Sequence, residues 1–174
     1  IVPRGRSLGA AWYLPEERQL TTTEQMKDEI CAALGGRAAE SLFFDKVSTG
    51  ALSDLEKVTK QAYAMVSIYG LSPKLGNISY YDSSGQNSGF TKPYSEERAK
   101  LIDLEVSKLI EEQYNRALKV LKENKKKVEE LANALLSNEV IFKDNLVSIF
   151  GARKWTSYHE EKLEEEESKT KKKK

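Results

Sequence analysis

The sequence has few nitrogen and sulfur ligands for metals and few cysteines for disulfides, because it has one histidine, His159, and one cysteine, Cys31. A single cysteine excludes an intrachain disulfide, and the apolar helical neighbours of Cys31 favour a small core residue over a nucleophile. No apolar run approaches the roughly 20 residues needed to span a bilayer. We therefore expect these residues to form a soluble structure.

An excess of charge of one sign is also lacking, since 28 Lys and Arg residues nearly balance 27 Asp and Glu residues. This balance does not favour nucleic acid or an anionic membrane surface as a partner. The 174 residues are sufficient for one domain with a sizeable core. The tail from residue 156 is an acidic block followed by a basic block, which predicts a disordered or extended segment over 156–174.

Apolar residues recur at steps of three and four, which predicts a mainly α-helical fold. We predict helices over 21–44, within 47–70, over 94–124 and over 125–136, with a short final segment near 146–150. The last three would form a C-terminal helical hairpin with a terminal helix. The small β element is a predicted strand at Ala10–Leu14, between Gly9 and Pro15.

The stretch Val47–Gly70, VSTGALSDLEKVTKQAYAMVSIYG, is the clearest helix in the chain. Thr49 or Ser53 can serve as its N-cap, and Ser53 has capping-box spacing to Glu56. Asp54 then lies in or near the first turn, where the helix dipole favours a carboxylate. The alternative is a metal ligand or catalytic carboxylate held on a rigid element, and the pattern alone leaves both interpretations open. The predicted buried face comprises Leu55, Val58, Ala62, Met65, Val66 and Tyr69.

Two features of the helix predicted over 21–44 each allow more than one interpretation. The pair Gly35-Gly36 costs helix stability, so we expect close approach of another helix, either the Val47–Gly70 helix or one outside this chain. Glu40 is either a surface charge near the helix end or a carboxylate with a role in a site.

Four sequence segments in order carry a family resemblance: PRGRSLGAAWYLPEE, LGGRAAE, STGALSDLEKVT and YGLSPKLG. Together with TKPYSEERAKLIDLEV and SNEVIFKDNLVSIFG, they resemble the peptidase domain of FtsH over about residues 1–155. FtsH is the membrane-anchored AAA+ zinc protease of bacteria, mitochondria and chloroplasts. The resemblance implies that residues 1–155 are the C-terminal part of a single peptidase domain of this type.

The resemblance also implies roles for particular residues. Asp54 corresponds to the third zinc ligand, beside two histidines of an HExxH helix, and Glu40 to a carboxylate that orients a zinc-binding histidine. An extended substrate would add to an edge strand by β-augmentation. The residues of that strand are Ala10, Ala11, Trp12 and Tyr13, and the open alternative is that Trp12 and Tyr13 pack on the helical core.

At the level of the whole protein, the resemblance implies an ATP-dependent metalloendopeptidase that degrades membrane proteins and misfolded soluble proteins. The parent would be a membrane-anchored homohexamer, with this domain on the cytoplasmic, matrix or stromal side. ATP would bind only in an ATPase module outside this chain, and polypeptides would be the substrates. Membrane contact would come from segments outside these residues.

One departure from the family pattern bears on mechanism: these residues contain no HExxH, and His159 lies in the charged tail. We expect HExxH upstream of the PRGR segment, so the chain has no catalytic residue of its own. On this interpretation the chain alone binds no zinc and is inactive. The alternative function is a non-catalytic helical module for oligomerisation or adaptor contacts.

Overall fold

The computed structural model describes residues 20–81 and 93–152, and their contacts form two units, one of residues 20–123 and one that includes 124–152. The described residues are mainly helical and include no strand, which confirms the predicted α class. The predicted strand at Ala10–Leu14 and the tail over 156–174 lie outside the described residues. The helices are α1 (Thr23–Ala33), α2 (Gly35–Phe44), α3 (Leu52–Tyr63), α4 (Glu96–Glu123), α5 (Lys125–Asn138) and α6 (Lys143–Phe150).

The helix predicted over 21–44 is two helices, separated at Leu34. Thr22 caps α1 in a reciprocal capping box with Gln25. Gly35 and Gly36 begin α2, which agrees with the low helix propensity of glycine. No atom of another described element lies within 4 Å of a Cβ built on either glycine. The predicted close approach of α3 is therefore wrong, and the alternative, a helix outside this chain, stays a prediction.

The start of α3 also differs from the prediction. Ser48 caps a single 3₁₀ turn over Thr49–Ala51, and this turn continues directly into α3. The predicted N-caps at Thr49 and Ser53 are therefore wrong, because both residues already lie within helical turns.

A π-helical turn over Ala64–Ile68 follows α3 and changes the direction of the side chains after it. The N–H of Tyr69 donates to the carbonyl of Ala64, five residues back, at 2.8 Å. The wider turn rotates later residues by about 100° relative to an α-helix. Tyr69 is therefore exposed and was wrongly predicted to be on the buried face, whereas Met65 and Val66 are buried as predicted.

The core of the 20–123 unit forms where α1, α3 and the π-helical turn pack against α4. Ile30, Val58 and Ile102 are its most completely buried large side chains. Beyond the π-helical turn, Gly70 has a φ of +63°, a conformation that glycine adopts without strain. Tyr80 then packs edge-on against Tyr94 with ring centroids 4.9 Å apart, which fixes the described part of the loop before α4. The core residues are Met26, Ile30, Leu34, Val58, Ala62, Met65, Val66, Leu75, Ile102 and Val106.

In the unit that includes 124–152, α5 packs against α6. The Lys127 ammonium donates to the Phe150 carbonyl at 3.2 Å and lies over the Phe150 ring, so it closes the C-terminal end of α6. Neither helix has a buried residue. The hairpin of α4 with α5 stays a prediction. No helix in the described part of the chain has the length and apolar character required to cross a bilayer.

The core assignment predicts a large difference between two positions on α4. Ile102 is 1% exposed and Leu104 is 67% exposed. We expect Ile102→Ala to lower the free energy of unfolding by about 2–5 kcal/mol, because it leaves a cavity. Leu104→Ala, the matched control, should change it by less than about 0.5 kcal/mol. Urea unfolding followed by circular dichroism measures both, and equal losses would contradict the assignment.

Candidate functional site

Asp54 lies where the sequence predicted, in the first turn of α3, and its side chain is exposed. No hydrogen bond or ion pair joins its carboxylate to another described residue. A carboxylate in this position interacts favourably with the helix dipole without needing a side-chain partner. Both oxygens therefore stay available to a ligand outside the helix, and the metal-ligand role stays a prediction.

Glu40 lies in the last turns of α2 and binds the residue that caps the 3₁₀ turn. Its Oε1 accepts from the Ser48 hydroxyl at 2.5 Å, and its Oε2 accepts from the Ser48 backbone N–H at 3.2 Å. The Ser48 Oγ in turn accepts from the Gly50 N–H at 3.1 Å. We call this set of three residues the Glu40–Ser48–Gly50 bracket. It connects α2 to the turn that leads into α3.

The hydrogen bonds of the bracket stabilise the ionised form of Glu40. The Ser48 hydroxyl and then the Ser48 N–H hold the pKa of the Glu40 carboxyl below its usual range, and Arg37 contributes less. The Arg37 guanidinium is 3.9 Å from Glu40 Oε2, beyond hydrogen-bond distance. The ordinary acidity of a glutamate already ensures that Glu40 is charged at neutral pH, and the bracket reinforces that state.

The described residues do not make a metal site by themselves. No group of three or more His, Cys, Asp or Glu side chains within 20–81 and 93–152 is placed to hold a metal ion. A zinc ion takes four ligands in tetrahedral geometry. Asp54 can supply one oxygen, and the sequence contains one histidine in all. Zinc binding therefore needs ligand atoms from outside the described residues.

Two other features lie apart from Asp54 and Glu40. Burial raises the pKa of the Cys31 thiol, which disfavours the nucleophilic thiolate and agrees with the predicted packing role. An open cavity of about 380 Å³ lies beside α4, with Lys74 and Ser72 bonded to Glu105 at its edge. Lys74 is the main cause of the lowered pKa of Glu105. The pairing satisfies these charges within the protein.

The structure thus brings Glu40 together with Ser48 and Gly50, and it shows no contact between Glu40 and Asp54. The predicted substrate strand Ala10–Tyr13 and His159 lie outside the described residues. Ser48 is the site residue that the sequence analysis missed. The available signal was a hydroxyl residue two positions before a glycine, a spacing typical of side-chain-capped turns.

Comparison with known proteins gives consistent similarities. Residues 1–149 match the family described as Peptidase family M41. The chain is 63% identical over 167 residues to the ATP-dependent zinc metalloprotease FtsH of Parabacteroides distasonis, covering 96% of this chain and 24% of that protein. It is 59% identical to the FtsH of Karelsulcia muelleri, covering 86% of this chain and 24% of that protein.

A more distant relative is the mouse mitochondrial inner membrane m-AAA protease component AFG3L1. The two chains are 45% identical over 153 residues, which cover 88% of this chain and 19% of that protein. The chain therefore spans about a quarter or less of the length of these curated relatives.

The capping assignment predicts that two nearby serines differ in their effect on stability. Ser48→Ala removes a cap and should lower the free energy of unfolding by about 1 kcal/mol. Ser53→Ala lies inside α3, where alanine is the better helix former, and should be neutral or slightly stabilising. Urea unfolding of both variants checks this, and a larger loss for Ser53→Ala would contradict the observed helix start.

The lowered pKa of Glu40 predicts a specific pH dependence of stability. Because the folded pKa lies below the unfolded value of about 4.3, ionised Glu40 stabilises the fold above that pH. The contribution is lost as the pH falls through the folded pKa. The difference in unfolding free energy between wild type and Glu40→Gln should therefore be largest at neutral pH and shrink in acid. Urea unfolding across this range measures it, and a constant difference would contradict the assignment.

Proposed function

The chain belongs to Peptidase family M41, and on that premise we propose that it supplies the C-terminal part of the proteolytic domain of an ATP-dependent zinc metalloendopeptidase. The observation that carries the proposal is the family match over residues 1–149, combined with an exposed Asp54 carboxylate in the first turn of α3. The enzyme would cleave polypeptides, including membrane proteins and misfolded soluble proteins. Residues 156–174 would be a tail outside the domain.

In this proposal Asp54 is one ligand of a zinc ion whose histidine ligands come from residues outside this sequence. The bound ion would supply Lewis-acid activation of water and of the scissile carbonyl. The contribution of the chain itself is to hold the Asp54 carboxylate on α3, exposed and without another described partner. An exposed carboxylate avoids the cost of a buried, unpaired charge before the metal binds.

Further parts of the proposal follow from family membership. The segment Ala10–Tyr13 would form the edge strand that binds extended substrate by β-augmentation. The intact protein would be a membrane-anchored homohexamer, with this domain in the cytoplasm, matrix or stroma. The names of the relatives support ATP-dependent proteolysis and a mitochondrial inner-membrane location for those proteins.

The test compares two proteins, the 174-residue chain and the same chain expressed with any coding sequence upstream of residue 1. Only the extended protein should bind about one zinc per chain and hydrolyse casein. Asp54→Ala in that protein should abolish both, because it removes a ligand. Glu56→Ala is the matched control, since Glu56 is an exposed acid two residues further along α3, and it should retain both activities.

Three results would argue against the proposal. Zinc binding and cleavage that survive Asp54→Ala would show that Asp54 is an ordinary acid at a helix start. An extended protein without metal and without cleavage would favour the alternative, a helical module for assembly. Equal losses in Asp54→Ala and Glu56→Ala would point to general destabilisation of α3.

A further inference from the structure

We propose that Ser48 is a positioning residue for Asp54, and that Glu40 acts on Asp54 through Ser48. The inference rests on the proposed function, because it takes Asp54 as the ligand to be positioned. It deepens that function by assigning a role to a serine and a new route of action to Glu40. Family resemblance implies that Glu40 orients a histidine, whereas the structure joins both its oxygens to Ser48.

The bracket restrains both the side chain and the backbone of Ser48. Its hydroxyl has one proton, which it donates to Glu40 Oε1, and its backbone N–H donates to Glu40 Oε2. The hydroxyl oxygen keeps its lone pairs for the Gly50 N–H. Bonds to an ionised acceptor are stronger than neutral ones, and linked hydrogen bonds reinforce one another. The orientation of the Ser48 hydroxyl is therefore set by Glu40.

The position of Ser48 is transmitted to Asp54 through continuous helical backbone. The 3₁₀ turn Thr49–Ala51 runs into α3 without a linker, and the Leu52 N–H donates to the Thr49 carbonyl. Ala51 is buried and fixes this turn against the body of the protein. A shift of Ser48 would therefore move the turn that carries Asp54.

The residues directly before Ser48 add little restraint of their own. Asp45 ends α2 in a left-handed conformation with a φ of 52°, and residues 45–47 are exposed. The structure shows no hydrogen bond from Lys46 or Val47 to another described residue. The bracket is thus a polar contact that joins α2 to the turn that leads into α3.

A carboxylate has about four acceptor positions, so the bonds to Ser48 leave capacity for a further donor. Glu40 could act on a zinc site through Ser48 or through another group, and the two routes differ in one measurable way. If Glu40 acts through Ser48, removing both residues harms zinc binding no more than removing either one. If the routes are independent, the losses multiply.

The experiment is a double-mutant cycle in the protein extended upstream of residue 1. Ser48→Ala, Glu40→Gln and the double variant are compared with Ser48→Thr, which keeps the hydroxyl, and with Ser107→Ala, an exposed serine on α4. Zinc affinity is measured by competition with a chelator, and Gly50 amide exchange is measured by nuclear magnetic resonance. Casein hydrolysis is measured at saturating zinc.

We expect Ser48→Ala and Glu40→Gln each to weaken zinc affinity about 10- to 100-fold. The double variant should bind zinc with the same affinity as whichever of these two binds it less tightly. Gly50 amide exchange should rise about fivefold in Ser48→Ala, as for a lost cap. Ser48→Thr and Ser107→Ala should retain wild-type affinity. At saturating zinc, casein hydrolysis by the single variants should recover most of the wild-type rate.

Other results would overturn either the proposed function or the positioning role of Ser48. A wild-type extended protein that binds no zinc overturns the proposed function and this inference with it. Zinc affinity unchanged in Ser48→Ala, in a protein that does bind zinc, overturns the inference alone, and so do losses that multiply. Should Ser48→Ala fail to fold, Glu40→Gln decides, because weakened zinc affinity with unchanged Gly50 exchange would refute action through Ser48.

Discussion

The burial of one apolar face of α4 against α1 and α3 is the constraint on which the rest of the 20–123 unit depends. Ile102 on α4 meets Ile30 and Val58 in a single core cluster, and all three are almost completely removed from water. Burial of such side chains contributes about 1.5–3 kcal/mol each. Because Val58 and Ala62 hold α3 in this core, its exposed first turn can carry a carboxylate at the surface.

The two ends of the α3 segment are held by different kinds of force. The π-helical turn at its C-terminal end is held by buried Met65 and Val66, whereas the turn before α3 is held by buried Ala51 and also by hydrogen bonds to the ionised Glu40. Apolar contacts are insensitive to pH, but a carboxylate bracket depends on ionisation. The stability of the helix core and the placement of its first turn are therefore separable properties.

Periodicity in the sequence predicted the parts of the fold that depend on burial. Ile30, Val58 and Ile102 each lie on a helix whose apolar residues recur at helical spacing, because one face of that helix must leave water. This pattern is visible within a single segment of sequence. The spacing of Thr22 with Gln25 and the glycine at position 70 are likewise local features, since a helix end depends on nearby backbone chemistry.

The rest of the fold required information from outside each segment. The break at Leu34 and the π-helical turn depend on which carbonyl each backbone N–H reaches, and sequence periodicity does not reveal this. The predictions of one continuous helix over 21–44 and of a buried Tyr69 were therefore wrong. At the site, the pattern placed Asp54 in the first turn, but its ligand role came only from the family resemblance. The spacing of Ser48 and Gly50 indicates a capped turn, but the bond from Ser48 to Glu40 could not be predicted, because Glu40 is eight residues away on α2.

The π-helical turn over Ala64–Ile68 has a consequence for how this chain can vary in length. Such a turn is an α-helix that holds one additional residue, and the surplus is absorbed within a single turn. Loss of one residue there would restore α-helical phase and swing all later residues about 100° around the axis. Gly70 would then leave the position where its left-handed backbone begins the loop toward Tyr80. Deletion of one residue within Ala64–Ile68 should therefore displace both Tyr69 and the left-handed Gly70 from their present positions.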